Sequence, residues 1–199
     1  MMASKFLAGV VLVAVILGWL AYSMVFFVGR RRPPAEEHRR DPWSVAGIVM
    51  QGTAYGVVWG IRRPLCTPMV HGGLALDIAL AVATLAILLG SLWITWAAVR
   101  ALGKQWSLAA RLLKEHSLIT EGPYRIVRHP IYAGMLGMLI AGGLAVSDWR
   151  GLIVAVALFL PGMGIRIRSE EKLLREAFGR DYEEYAEKVP AIVPFGRIF

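Results

Sequence analysis

Long apolar runs separated by short clusters of charge dominate this chain. A helix needs about 20 mostly apolar residues to cross a bilayer, and the pattern predicts five such segments. The first, Phe6–Val28, carries no charge between Lys5 and Arg30 and ends at Gly29-Arg30-Arg31-Arg32. It exceeds the roughly 7–15 apolar residues of a signal peptide, and the basic cluster behind it is a stop-transfer pattern, which predicts a retained helix. The second, Trp43–Ile61, includes Gln51, Thr53 and several glycines. Those residues suit a helix packed against other helices, with a re-entrant segment as the alternative. Leu74–Val99 is long enough to span with tilt, with Asp77 near its start at the interface. Pro130–Val146 and Trp149–Ile165 read as a hairpin around Ser147-Asp148. Pro130 fits a first helical turn, where its missing N–H costs nothing. Pro161 is expected to bend or end the fifth helix. From Arg166 to Val189 the pattern changes. Leu173, Leu174, Phe178, Tyr182, Tyr185 and Val189 recur at three- or four-residue steps, the period of an amphipathic helix, with Gly179 as a candidate break. No internal repeat or low-complexity tract is present.

Composition agrees with this pattern. Hydrophobic residues make up 57% of the 199 positions and charged residues 18%, against roughly 45–50% and about 25% in soluble domains. Disorder is excluded, because it requires low hydrophobicity and high charge. One cysteine, Cys66, allows neither an internal disulfide nor a cysteine-rich zinc site. The net charge of +8 invites a nucleic-acid reading, yet the basic residues lie in short runs between apolar stretches rather than on one soluble face. Placing the loops after helices one, three and five on one side gathers five, six and seven basic residues, or 18 of the 22. Lys5, Arg62, Arg63 and Arg150 fall on the other side. The positive-inside rule then predicts an external N-terminus and a cytoplasmic C-terminus. This bias is the main argument that the second helix crosses. The linker Arg30–Arg40, with Pro33-Pro34, reads as an ordinary positive-inside loop that could also meet anionic headgroups.

Polar and aromatic residues concentrate in two places, residues 104–132 and 166–188. The first contains Lys104-Gln105-Trp106-Ser107, the run from His116 to Tyr124 with a turn at Gly122-Pro123, and Arg128-His129-Pro130-Ile131-Tyr132. The residue before a proline is pushed out of the α region, so His129 can project from the start of a helix. An interfacial histidine can equally be structural. No His-x-x-x-His pair exists and the carboxylates lie far off in sequence, so no metal site is expected. Arg166 and Glu170 are four apart and share a helix face. If exposed, they form a solvated salt bridge; facing a pocket, Arg166 is a fixed cation able to fork onto a carboxylate. Gly134, Gly137, Gly142 and Gly143 in the fourth helix suit close helix packing, with room for a ligand as the alternative.

These residues resemble one known family. The stretch from His116 to Tyr124, then Arg128-His129-Pro130-Ile131-Tyr132-Ala133-Gly134, is similar to the isoprenylcysteine carboxyl methyltransferases. So is the distal block Arg166, Glu170-Glu171, Leu174, Phe178-Gly179, Tyr182, Tyr185, Val189 and Pro194. Phospholipid N-methyltransferases share a looser version. The resemblance spans about residues 75–195 and implies an all-α integral membrane fold. About five transmembrane helices would be followed by a C-terminal cytosolic amphipathic helix that caps a cofactor pocket. Residues 1–73 would form the first two helices and basic linker, and 74–199 the methyltransferase core. The implied cofactor is S-adenosylmethionine, leaving as S-adenosylhomocysteine. His116, Ser117, Leu118, Ile119, Tyr124, His129, Pro130, Ile131, Tyr132 and Glu170 match its contacts. Arg166 matches an arginine that contacts the substrate, and Arg166 and Glu170 are the implied catalytic pair. The implied acceptor is the carboxylate of a prenylcysteine-like or other lipophilic molecule entering from the bilayer, with no nucleic acid or metal involved. Alternatives are a phospholipid or small hydrophobic amine, or a non-enzymatic membrane binding subunit. One position departs from the family. A glutamine expected before His116 is replaced by Ala109-Ala110-Arg111, and Gln105 is the candidate substitute.

Overall fold

The computed structural model describes residues 2–30, 37–70, 72–108, 111–113 and 117–192. Its helices are α1 (Met2–Arg30), α2 (Trp43–Gly60), α3 (Leu74–Leu102), α4 (Pro130–Val146), α5 (Trp149–Phe178) and α6 (Arg180–Lys188). Three of them, α1, α3 and α5, are long and apolar enough to cross a membrane, and α4 is a shorter apolar helix. Helices satisfy every interior backbone donor and acceptor locally, as hydrocarbon requires. Val13, Leu17, Leu20, Val82, Leu89 and Ile153 point outward and are exposed. That is the surface of an integral membrane protein, because lipid accepts such a belt and water does not.

The expected all-α architecture holds apart from one short ribbon in the described residues. Glu37–Arg40 (β1) pairs antiparallel with Arg111–Leu113 (β2), with Glu37 opposite Leu113 and Arg40 opposite Arg111. Part of the linker read as a loop is thus a strand, because the fold brings a second extended segment beside it. Sequence periodicity carries no trace of such a non-local pairing.

Three pairings organise the bundle: α2 along α5, α3 along α4, and α1 against α3. Small residues permit the close contacts. A Cβ added to Gly134 would strike Thr95 Oγ1 and come within 3.1 Å of the Ser91 carbonyl, and one on Gly137 would strike Ser91 Oγ. At these positions the glycines serve helix packing and leave no room for a ligand. Two buried hydroxyls of α3 are satisfied within the helix, Thr84 donating to the Leu80 carbonyl and Ser91 to the Ile87 carbonyl, each at 2.7 Å, while Thr95 donates to Tyr22 Oη of α1 at 3.3 Å. The α4–α5 hairpin turns at Ser147-Asp148 as the sequence indicated. Asp148 caps α5 by accepting from the Arg150 N–H at 2.9 Å. Arg63, counted as a topology charge, has a second role. It donates to the carbonyls of Leu144, Ala145 and Ser147, the orphan acceptors that end α4.

The fifth helix is a further correction. It passes Pro161 without ending and continues to Phe178, so Ile165 is no boundary. Proline removes one backbone hydrogen bond, but neighbouring helices tolerate this inside a bundle. The polar tail is therefore one rigid extension of the apolar helix. It stops at Gly179, whose φ of +51° is the left-handed conformation that glycine adopts without penalty. From there α6 sets off in a new direction.

Candidate active site

A cavity of about 410 Å³ lies among the ends of α1, α3, α4 and α5, and α6 contributes to its wall. Two of its walls are polar. From α5 come Arg166 and Glu170, one helical turn apart. From the start of α4 come His129 and Tyr132, with Arg128 just before them. Most of the remaining lining is apolar or aromatic, including Phe26, Trp106, Leu118 and Leu173.

Arg166 does not pair with Glu170. Its Nη1 donates to Gln51 Oε1 at 2.7 Å and its Nη2 to the Leu108 carbonyl at 2.5 Å. The guanidinium carbon stands 4.7 Å from the centre of the Tyr132 ring, a cation–π contact. Only 4% of Arg166 is exposed, so a solvated salt bridge is excluded. Tyr132 Oη donates to Glu170 Oε1, which places Tyr132 between the two charged side chains. Among the described residues, the hydrogen-bond acceptors of Arg166 are both neutral.

Glu171, one residue further, is a hub that the sequence did not single out. Arg128 donates to its Oε1 through Nε at 3.0 Å and Nη2 at 2.8 Å, and Arg175 reaches Oε2 at 3.0 Å. His129 lies between the two glutamates, with Nε2 3.2 Å from Glu171 Oε1 and Nδ1 3.5 Å from Glu170 Oε2. Burial lowers the His129 pKa, but hydrogen bonds and charge from Glu170 and Glu171 outweigh it, and the net shift is upward. Burial, reinforced by the Glu170 charge, raises the Tyr124 hydroxyl.

Arg128 also fixes the C-terminal segment. Its Nη1 donates to the carbonyls of Ala186 at 2.9 Å and Val189 at 2.5 Å, closing the end of α6. The backbone N–H groups of Arg128 and His129 donate to the Pro190 and Ala191 carbonyls at 2.8 and 2.9 Å. Tyr185 Oη donates to the Tyr124 carbonyl at 2.7 Å. These bonds hold Tyr182 and Tyr185 at the cavity.

Of the residues expected at a cofactor, Ser117, Leu118, Ile119, Tyr124, His129, Ile131, Tyr132 and Glu170 all line this cavity. Pro130 does not line it and instead opens α4. His116 and the replaced positions Ala109 and Ala110 lie outside the described residues. Gln105, the candidate substitute, does line the cavity. Its Oε1 accepts from the Ser117 N–H at 2.7 Å and its Nε2 donates to Ser117 Oγ at 3.1 Å. Sequence reasoning missed Gln51, Arg128 and Glu171 as site-building residues. The signal for two of them was present, since Arg128-His129 and Glu170-Glu171 are adjacent pairs of basic and acidic residues. Only the fold shows that they meet.

Residues 79–176 match the isoprenylcysteine carboxyl methyltransferase family. This segment holds the cavity's α3, α4 and α5 walls. A probable protein-S-isoprenylcysteine O-methyltransferase of Oryza sativa is 38% identical over 41% of this chain and 42% of its own length. Protein-S-isoprenylcysteine O-methyltransferase B of Arabidopsis thaliana is 35% identical over 47% of this chain and 48% of its own. The cobalt-zinc-cadmium resistance protein CzcN of Cupriavidus metallidurans is 35% identical over 57% of this chain and 51% of its own. The chain thus spans about half the length of the curated relatives it matches.

Proposed function

We propose that this protein is a membrane methyltransferase that uses S-adenosylmethionine to esterify the carboxylate of a prenylcysteine-like or other lipophilic acceptor. One observation carries the reading. A single cavity at the end of a membrane bundle gathers the family-matching segment's polar residues, with Arg166 and Glu170 facing it together. The residues fit the cofactor. Glu170 offers a carboxylate to its ammonium or ribose, Leu118, Ile119 and Leu173 offer apolar surface, and the buried Nε of Arg166 has no partner among the described residues.

When bound, S-adenosylmethionine supplies an electrophilic methyl group. The residues do the rest by positioning. Arg166 holds the acceptor carboxylate, and its rigid seat restricts that carboxylate to one direction of approach. A carboxylate is already deprotonated and needs no general base. Trp106, Phe26 and Leu173 exclude water from the cavity, which strengthens the electrostatics inside it. Tyr132 and His129 hold the Glu170 carboxylate in place. An amine acceptor would require a base. Both candidates are engaged here, Glu170 with Tyr132 and His129 with two carboxylates. That weighs against the amine alternative.

The proposed topology has five crossings, an external N-terminus and the cavity on the cytoplasmic side, supported by the distribution of basic residues. The decisive experiment is calorimetry and methyl transfer on detergent-purified protein. Wild type binds S-adenosylmethionine, Glu170→Ala weakens binding at least tenfold, and Arg166→Ala lowers turnover of a carboxylate acceptor more than cofactor affinity. A wild-type protein that does not bind S-adenosylmethionine refutes the reading.

A further inference from the structure

Helix α2 lies outside residues 79–176, the segment that matches the family, yet it holds the guanidinium at the centre of the site. Its buried residues are Ser44, Gly47, Gln51, Ala54 and Val58, a stripe at helical spacing that faces α5. At Gly47 the two helices nearly touch. A Cβ there would lie 2.5 Å from both Arg166 Cγ and the Gly162 carbonyl. The stem of Arg166 therefore crosses the bare backbone of α2. One turn on, Gln51 accepts from Arg166 Nη1 at 2.7 Å and is itself only 1% exposed.

We propose that Gln51 is a positioning residue that fixes the Arg166 side chain for capture of the acceptor carboxylate. This rests on the reading of Arg166 as the acceptor anchor. Among the described residues, three restraints act on the guanidinium: Gln51, the Leu108 carbonyl and the Tyr132 ring. Gln51 is the one whose chemistry is free to vary, since Leu108 contributes backbone and Tyr132 also serves Glu170. An amide oxygen restrains the guanidinium without neutralising it. A carboxylate at the same place would restrain it and also compete with the acceptor for its charge. The identity of residue 51 therefore sets both where Arg166 points and how strongly it attracts an anion.

The test uses the full chain in lipid nanodiscs with a prenylated N-acetylcysteine as acceptor. Gln51→Leu frees the guanidinium and raises the acceptor KM about tenfold, with S-adenosylmethionine affinity unchanged within about twofold. Gln51→Glu preserves the hydrogen bond, folds normally and raises the acceptor KM by a similar factor through competition. In an Arg166→Met background, Gln51→Leu adds no further loss of kcat/KM, because its effect runs through the missing side chain. Losses that multiply, a parallel fall in cofactor affinity, or an unchanged KM in Gln51→Glu overturn the inference alone. A wild-type protein that methylates no carboxylate acceptor refutes the underlying reading, and the inference falls with it.

Discussion

Removing the Glu171 carboxylate should release the C-terminal segment from the cavity. In Glu171→Ala, Arg128 loses both of its bonds to Oε1 and His129 loses its Nε2 partner. The Arg128 and Glu171 side chains are each only 9% exposed, so this is a buried pair. Deleting one partner of such a pair costs about 3–5 kcal/mol. The Arg175 contact adds little, because that side chain is 45% exposed and screened by solvent. Arg128 keeps its bonds to the Ala186 and Val189 carbonyls, which favours the lower figure of about 3 kcal/mol. Local opening then becomes about a hundredfold more frequent, at 1.4 kcal/mol per factor of ten. The amides of Arg128 and His129 report it directly, since they donate to the Pro190 and Ala191 carbonyls. Hydrogen–deuterium exchange in detergent should show peptides covering 126–130 exchanging about a hundredfold faster. Peptides from the middle of α3 should not change. Glu171→Gln, which keeps an acceptor oxygen but no charge, should fall between. Unchanged exchange around Arg128 and His129 in Glu171→Ala would refute the assignment of Glu171 as the clamp.

Two further outcomes follow from the geometry. The upward shift of His129 fixes the sign of a pH effect. Its ion pairs with Glu170 and Glu171 contribute fully below about pH 6.5, the ordinary histidine value, and are lost as pH rises through the raised folded-state value. Thermal unfolding from about pH 6 to about pH 9 should show wild type losing stability with rising pH, and His129→Gln should flatten that decline. The glycines of α4 should differ among themselves. Gly134→Ala meets Thr95 and the Ser91 carbonyl and should cost about 1–3 kcal/mol. Gly142→Ala meets only ordinary contacts at 3.6 and 3.7 Å and should stay within about 0.5 kcal/mol. Equal Tm shifts for the two would refute the packing account.

Much of the fold was legible because hydrophobic period and turn chemistry are local. The hairpin at Ser147-Asp148, the start of α4 at Pro130 and the break at Gly179 each rest on a few neighbouring residues. The end of α5 was not legible in this way. Pro161 and the switch to charge at Arg166 look like a boundary, yet a helix satisfies its backbone as well in water as in lipid, so the rod continues. The ribbon between β1 and β2 was invisible because its pairing is non-local.

The candidate site divides along the same line. Sequence motifs by themselves determined which residues carry charge and in what order: Arg128-His129 before Pro130, and Arg166 with Glu170-Glu171 on one helix. They fixed the chemical vocabulary of the cavity. Spacing alone would pair Arg166 with Glu170, and the tertiary structure separates them. Gln51 and the Leu108 carbonyl take the guanidinium, Tyr132 inserts between the two charges, and Glu171 turns away to hold Arg128. Hydrogen-bond partners are chosen by which helices approach closely enough, and that is decided by the packing of α2 on α5 across Gly47 and Gly162. A polar residue in an apolar helix reads as an imperfection along the chain, and only the neighbouring helix turns Gln51 into a partner for Arg166.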